Sequence, residues 1–146
     1  MLKKFILLTF LLNVFVLCAY ANTDLSTEQI ERVTKAKRLL GDADQGSLTK
    51  TIHRLKKSPA VEGELQIIEA VAATYDELVR KYKPADKMAR ERLLDKIRMN
   101  MAYFQLGGPD TENPRESSLN IVIRRKLKEH LPSELINQPG FLYSLE

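Results

Sequence analysis

Between residues 61 and 82 the apolar side chains of Val61, Leu65, Ile68, Ala72, Tyr75, Val79 and Tyr82 fall four, three, four, three, four and three positions apart. A seam with this seven-residue repeat runs along one side of an α-helix, whereas a strand would need alternation with period two. Ile67, Val71 and Leu78 widen the stripe on one flank, which suits the interior of a bundle better than a bare two-stranded coiled coil. Acids lie early (Glu62, Glu64, Glu69) and bases late (Arg80, Lys81), the order the helix dipole favours. Ser58 and Pro59 read as N-cap and first helical residue, and Pro84 pushes Lys83 out of helical geometry, so a helix is predicted over about 59–82.

A second long helix follows almost at once. Leu94, Ile97, Met101 and Phe104 form its inward stripe, with Met88, Leu93 and Met99 beside it, and Gly107-Gly108-Pro109 ends it near 106. Two helices of about 33 to 36 Å joined by so short a turn lie antiparallel. The hairpin of about 59–82 and 85–106 is therefore the predicted spine.

Three shorter helices are predicted around it. Ser26 and Gln29 make a capping box, with Leu25 set to staple Ile30, before the stripe of Ile30, Val33 and Leu40 and a stop at Gly41. Ser47 to Lys57 offers Leu48, Ile52 and Leu55 to a core. Asn113, Pro114 and Glu116 read as cap, first residue and N3 acid of a helix that buries Leu119, Val122, Ile123 and Leu127 and stops before Pro132. The run Asn120 to Ile123 favours a strand by propensity alone, but the cap before it and the charged helical stretch after it outweigh four residues. Ser133 to Asn137 adds one turn. The expected class is all-α, a helical bundle of about five helices, with no internal repeat of about 34 residues.

The first 21 residues read as a cleavable signal peptide. Lys3 and Lys4 form a positive start, Phe5 to Leu17 is an apolar run broken by Thr9 and Asn13, and Ala19 and Ala21 stand at the small-residue cleavage positions. The apolar run is shorter than the 20 or so residues that cross a bilayer. Lipoprotein processing at Cys18 would call for a small residue where Leu17 stands, so Cys18 reads as an ordinary apolar residue of the signal. The expected organisation is a signal at 1–21, one helical domain at 22–140 and an apolar tail at 141–146, with a periplasmic or secreted location after cleavage near Ala21.

Cleavage alters the chemistry of what remains. The signal holds two lysines, no acids and the single cysteine, so about 125 residues are left with 21 cations against 19 anions, a net of +2, and no thiol. Nucleic acid is not an expected partner of so nearly neutral a chain. Without disulfides, stability must come from apolar burial.

Candidate chemistry is sparse, and no cofactor or metal is expected. Asp42, Asp44 and Gly46 suggest the opening of a calcium loop, but Gly46 stands at position 5 and His53 at position 12, where carboxylates are needed. His53 and His130 lack a second ligand or acid at i+4 and read as helix-end histidines. An enzyme using Glu62 and Glu69 has no pairing in the sequence to support it. Arg124, Arg125, Lys126 and Lys128 form the densest basic cluster, with Arg124 and Lys128 on one face, and Phe141, Leu142 and Tyr143 lead an apolar tail isolated by Pro139-Gly140. Leu25-Ser26-Thr27-Glu28-Gln29 resembles the Leu-Thr-x-x-Gln signature of the Spy and CpxP periplasmic chaperones. Ser26 replaces its threonine, and Leu48-Thr49 is followed by Ile52 where a second glutamine would stand, so the chain is not assigned to that family.

The expected function is an exported, non-enzymatic protein-interaction module of the bacterial envelope, such as an inhibitor, immunity-type protein, chaperone or secretion accessory. Arg124, Arg125, Lys128, Phe141, Leu142 and Tyr143 are the candidate partner-binding residues, against the readings that the cations serve only the helix dipole and that the tail docks onto the bundle to complete its core. A second protein is the expected partner, and a homodimer is compatible with the seam. The alternative is peripheral binding of anionic lipid or cell-wall polymer through basic helix ends.

Overall fold

The computed structural model describes residues 24–106, 115 and 117–136. The signal segment with Cys18, Ala19 and Ala21, the Asn113-Pro114 cap and the tail with Phe141, Leu142 and Tyr143 lie outside the described residues. Within them the chain is all-α: α1 (Thr27–Leu39), α2 (Gln45–Lys56), α3 (Val61–Tyr82), α4 (Lys87–Gln105), α5 (Ser118–His130) and a single turn, α6 (Ser133–Ile136).

Polar caps set where the helices begin. The α1 capping box forms in full: Gln29 N donates to Ser26 Oγ at 3.1 Å and Ser26 N donates to Gln29 Oε1 at 3.0 Å. Leu25 is buried in the cluster that joins α1, α2 and α3, while Ile30, its expected staple partner, remains 37% exposed. Helix α2 starts two residues before the predicted Ser47, because Asp44 Oδ1 accepts from the amides of Gly46 and Ser47.

The opposite correction applies to α3. Ser58 Oγ accepts from Ala60 N at 3.1 Å and donates to Glu64 Oε1 at 2.6 Å, which holds a turn through Pro59 and delays the helix to Val61. Helix α4 starts at Lys87 under Asp86, whose side chain accepts from Ala89 N. Helix α5 starts at Ser118 under Ser117, with Arg115 in a turn, so the predicted start at Pro114 is too early. At α4 and α5 a side-chain acceptor for an orphan amide sets the first turn, whereas α3 starts after Ala60 with no side-chain cap.

Gly41 leaves α1 at φ 71° and Lys83 leaves α3 in the left-handed region, at φ 46° and ψ 59°. The second is the break expected before Pro84, and it brings α4 back beside α3 after four residues.

Helix α3 is walled on two sides. Leu65, Ile68 and Ala72 from the seam pack with Leu25, Val33, Ala36 and Leu55 of the α1 and α2 layer. Ile67, Ala70, Val71, Tyr75 and Leu78 pack with Leu93, Ile97, Met101 and Phe104 of α4 and with Ile123, Leu127 and Leu131. Among the described helices the broadest contact is α1 on α3, with α4 and α5 closing the other side. The flank residues, joined by Tyr75 from the seam, therefore make a second core, each fully buried large apolar side chain adding about 1.5–3 kcal/mol of burial. Among the described residues no helix is long and apolar enough to cross a membrane.

Candidate functional site

The α3–α4 turn gathers charge that is dispersed along the chain. Arg80, Lys81, Lys83, Lys87, Arg90, Arg92, Lys96 and Arg98 stand against three acids, Asp86, Glu91 and Asp95. Most of these side chains are exposed, since the inward faces of α3 and α4 are taken by the core. Beside them a groove of about 390 Å³ opens between the end of α3, the first half of α4 and the start of α5. Tyr82, Ala89, Leu93 and Leu119 supply its apolar lining, with Arg92 and Lys96 on its edge. Tyr82 is 47% exposed and carries Lys81 Nζ 5.3 Å from its ring centre. Met88, next along α4, is 63% exposed. Sequence reasoning missed this site because its cations are interrupted by apolar residues and a turn. The available signal was net charge summed across the hairpin turn rather than over consecutive residues.

The expected basic cluster on α5 is dismantled by packing. Arg124 is only 6% exposed: its guanidinium lies 5.0 Å from the Tyr103 ring centre, and Nη1 donates to Asn100 Oδ1 at 3.4 Å. Asn100 Nδ2 in turn donates to Lys96 O at 2.8 Å and to Asn120 Oδ1 at 3.1 Å. Arg124 thus belongs to the α4–α5 interface and does not share a surface with Arg125, which is exposed, or Lys128, which is half-buried. Lys126 pairs with Glu129 at 2.7 Å and with Glu77 of α3 at 3.2 Å. His130 Nε2 donates to Glu77 Oε1 at 2.7 Å, a partner 53 residues away.

Carboxylates that an enzyme reading would use are engaged in holding helices together. Arg32 of α1 is bidentate to Glu69, at 2.8 and 2.6 Å, and its Nη1 donates to both oxygens of Glu62. The hydrogen bonds to Glu69, and then those to Glu62, raise the Arg32 pKa against the opposing effect of burial. Asp42 accepts from Lys37 and from Ser47 Oγ, and Asp44 is the α2 cap. Among the described residues no group of three or more His, Cys, Asp or Glu is placed to hold a metal ion.

Two of these carboxylates link the fold to pH. Burial acts to raise the Glu77 pKa, but the hydrogen bonds from Lys126 and His130 outweigh it and hold the group below its ordinary 4.5. Burial likewise opposes, and Lys37 and Ser47 override, at Asp42, which sits below its ordinary 3.8. A carboxylate depressed in the folded state contributes stability that is complete above its unfolded pKa and is lost as pH falls through the folded one. Thermal melts are therefore expected to be insensitive to these groups above about pH 5, with melting temperature falling from pH 4.5 downward. Glu77→Gln should make that decline shallower; an unchanged slope would remove Glu77 from the account.

No protein-family model, curated protein or solved structure matches this chain. Within the described residues its class is an all-α bundle with a cation-rimmed apolar groove at one helical turn.

Proposed function

We propose that the chain is an exported, non-enzymatic protein-interaction module of the bacterial envelope, and that the groove at the α3–α4 turn is its binding surface. The observation that carries this reading is the groove itself: apolar walls from Tyr82, Leu93 and Leu119, with Arg92 and Lys96 to orient a partner. The N-terminal segment supports export. The engagement of Glu62, Glu69, Asp42 and Glu77 by cations supports binding rather than catalysis as the activity.

Ala89→Glu tests the groove with little risk to the fold. Position 89 is in the first turn of α4, where an acid is favoured by the helix dipole, yet the new charge enters an apolar seat. The exported protein is expected to retain a defined partner from its own envelope fraction, and Ala89→Glu to weaken that retention about tenfold or more. Equal recovery by both proteins would exclude the groove. The exposed cations between Arg80 and Arg98 support a second reading, peripheral binding to anionic lipid or polymer. Sedimentation with phosphatidylglycerol vesicles in place of protein capture would select it.

A further inference from the structure

The α3 seam outlasts its cover. Leu65, Ile68, Ala72 and Tyr75 are buried, yet Tyr82, the last residue of the seam, is 47% exposed, and Met88 beyond the turn is 63% exposed. Large apolar side chains left uncovered at one turn, beside a groove with apolar walls, mark a surface that another molecule covers. The face that α4 turns to this groove is Ala89, Arg92, Leu93 and Lys96, spaced i, i+3, i+4 and i+7, so that apolar seats and cations share one stripe.

The charge balance at the turn narrows what that molecule is. The nearby acids are all engaged: Asp76 with Arg80 at 2.8 Å, Glu91 with Lys87 and Asp95 with Arg98 at 3.7 Å each, and Asp86 as the α4 cap. No carboxylate lines the groove. Among the described residues, the exposed Lys81, Lys83, Arg92 and Lys96 make no ion pair. Lys81 lies over the Tyr82 ring, and Arg92 Nε reaches only the carbonyl oxygen of Met88, at 3.5 Å. Arg92 and Lys96 hold one edge of the groove, and Lys81 and Lys83 flank Tyr82 at the end of α3. An apolar floor is thus bordered by cations whose charge nothing in the turn balances.

Such a border matches apolar anchors that carry carboxylates beside them. Arg92 and Lys96 stand one helical turn apart, the spacing of Asp or Glu at i and i+4 of a facing helix. A layer of lipid headgroups would meet the cations and leave the concave floor empty, and a polynucleotide brings no apolar side chains to fill it. We infer that the groove receives an acidic amphipathic helix of a partner protein, its apolar anchors seated on Tyr82, Leu93 and Leu119 and its carboxylates facing Arg92 and Lys96. This rests on the reading of the groove as a binding surface and adds the chemistry of the partner.

The test is selection from a displayed library of random peptides, on the chain and in parallel on its Arg92→Glu/Lys96→Glu variant. The enriched peptides are then titrated into the isotopically labelled protein and followed by NMR. They are expected to carry apolar or aromatic residues at i and i+3 or i+4 with Asp or Glu beside them, and to give saturable shifts at the amides of Ala89, Leu93 and Leu119. The variant should hold them about tenfold more weakly and should itself enrich peptides with Lys or Arg in place of the acids. Both substitutions fall at exposed positions, and circular dichroism checks the fold. Groove-binding peptides that lack acids and are held equally by both proteins would overturn the inference while leaving the groove a binding surface. No enrichment, or shifts away from the groove, would also overturn it, and retention of an envelope partner by Ala89→Glu then judges the groove separately. Three further results would overturn it by naming another occupant. These are groove shifts with phosphatidylglycerol vesicles and with no peptide (a lipid), groove shifts on Phe141→Ala in the free chain (its own tail), and a dimer broken by Ala89→Glu (a second copy).

Discussion

Phe104→Ala is expected to destabilise the protein by about 3 to 5 kcal/mol, the largest loss from any single truncation in this fold. Phe104 is among the largest fully buried side chains and stands in the last turn of α4, in the cluster that joins α3, α4 and α5. Its ring is tilted 57° against Tyr103 with centroids 6.1 Å apart, and Tyr103 in turn lies against Arg124. Truncation therefore loses transfer energy, leaves a cavity and loosens the support of a buried cation at once. The melting temperature should fall by roughly 10–20 °C. Met99 provides the contrast from the same helix. It is 70% exposed, and Met99→Ala should cost less than about 0.5 kcal/mol. If the two variants melted within a few degrees of each other, the α4 face assignment would be wrong.

Asn100→Leu should be the second most damaging substitution, at about 2 to 4 kcal/mol, although it adds apolar bulk to a buried site. Asn100 is buried between α4 and α5, where its oxygen accepts from Arg124 and its amide serves Lys96 O and Asn120 Oδ1. Leucine removes an acceptor from a buried guanidinium and a donor from the half-buried Asn120 oxygen. The diagnostic measurement is a double-mutant cycle in urea. Because much of the cost is Arg124 left buried with an acceptor missing, Asn100→Leu combined with Arg124→Met should cost less than the sum of the single variants by about 1 kcal/mol or more. Strict additivity would show that the two side chains are energetically independent.

These two residues illustrate what local pattern can and cannot reveal. Phe104 was legible, because it lies in register with Leu94, Ile97 and Met101, and that register is the inward face of α4. Arg124 was not. Its neighbours Arg125, Lys126 and Lys128 make it look like one cation of a surface cluster, and only the approach of Asn100 and Tyr103 from α4 turns it inward. The same holds for Glu62 and Glu69, which look like spare carboxylates until Arg32 crosses from α1 to clamp both. Helix starts failed for a smaller reason. Ser58, Asp86 and Ser117 place their oxygens over particular amides, and a side chain's choice between capping and holding a turn depends on geometry that residue order alone does not specify.

The groove shows the same division. Its cations and Tyr82 are all visible between residues 80 and 98, but its far wall is Leu119, beyond the end of α4. A cavity lined by α1, α2 and α4 is further from sequence still, because Arg98 joins a face of α2 that ends 44 positions earlier at Arg54.

By itself the sequence determined the all-α class, the α1 capping box, the break at Lys83 and the stripes of α3 and α4. Each of these rests on interactions within one or two helical turns, where i, i+3 and i+4 neighbours meet whatever surrounds them. Tertiary structure alone decided that α3 is walled on two sides, so that the first half of its seam, Val61 to Ala72, serves α1 and α2 while Tyr75, Val79 and the flank serve α4 and α5. It alone decided which charges are spent on helix-to-helix contacts, as Arg32 and Lys126 are, and which line a groove. The physical reason is that a helix encodes its own faces, whereas the occupant of each face depends on close packing with segments tens of residues away.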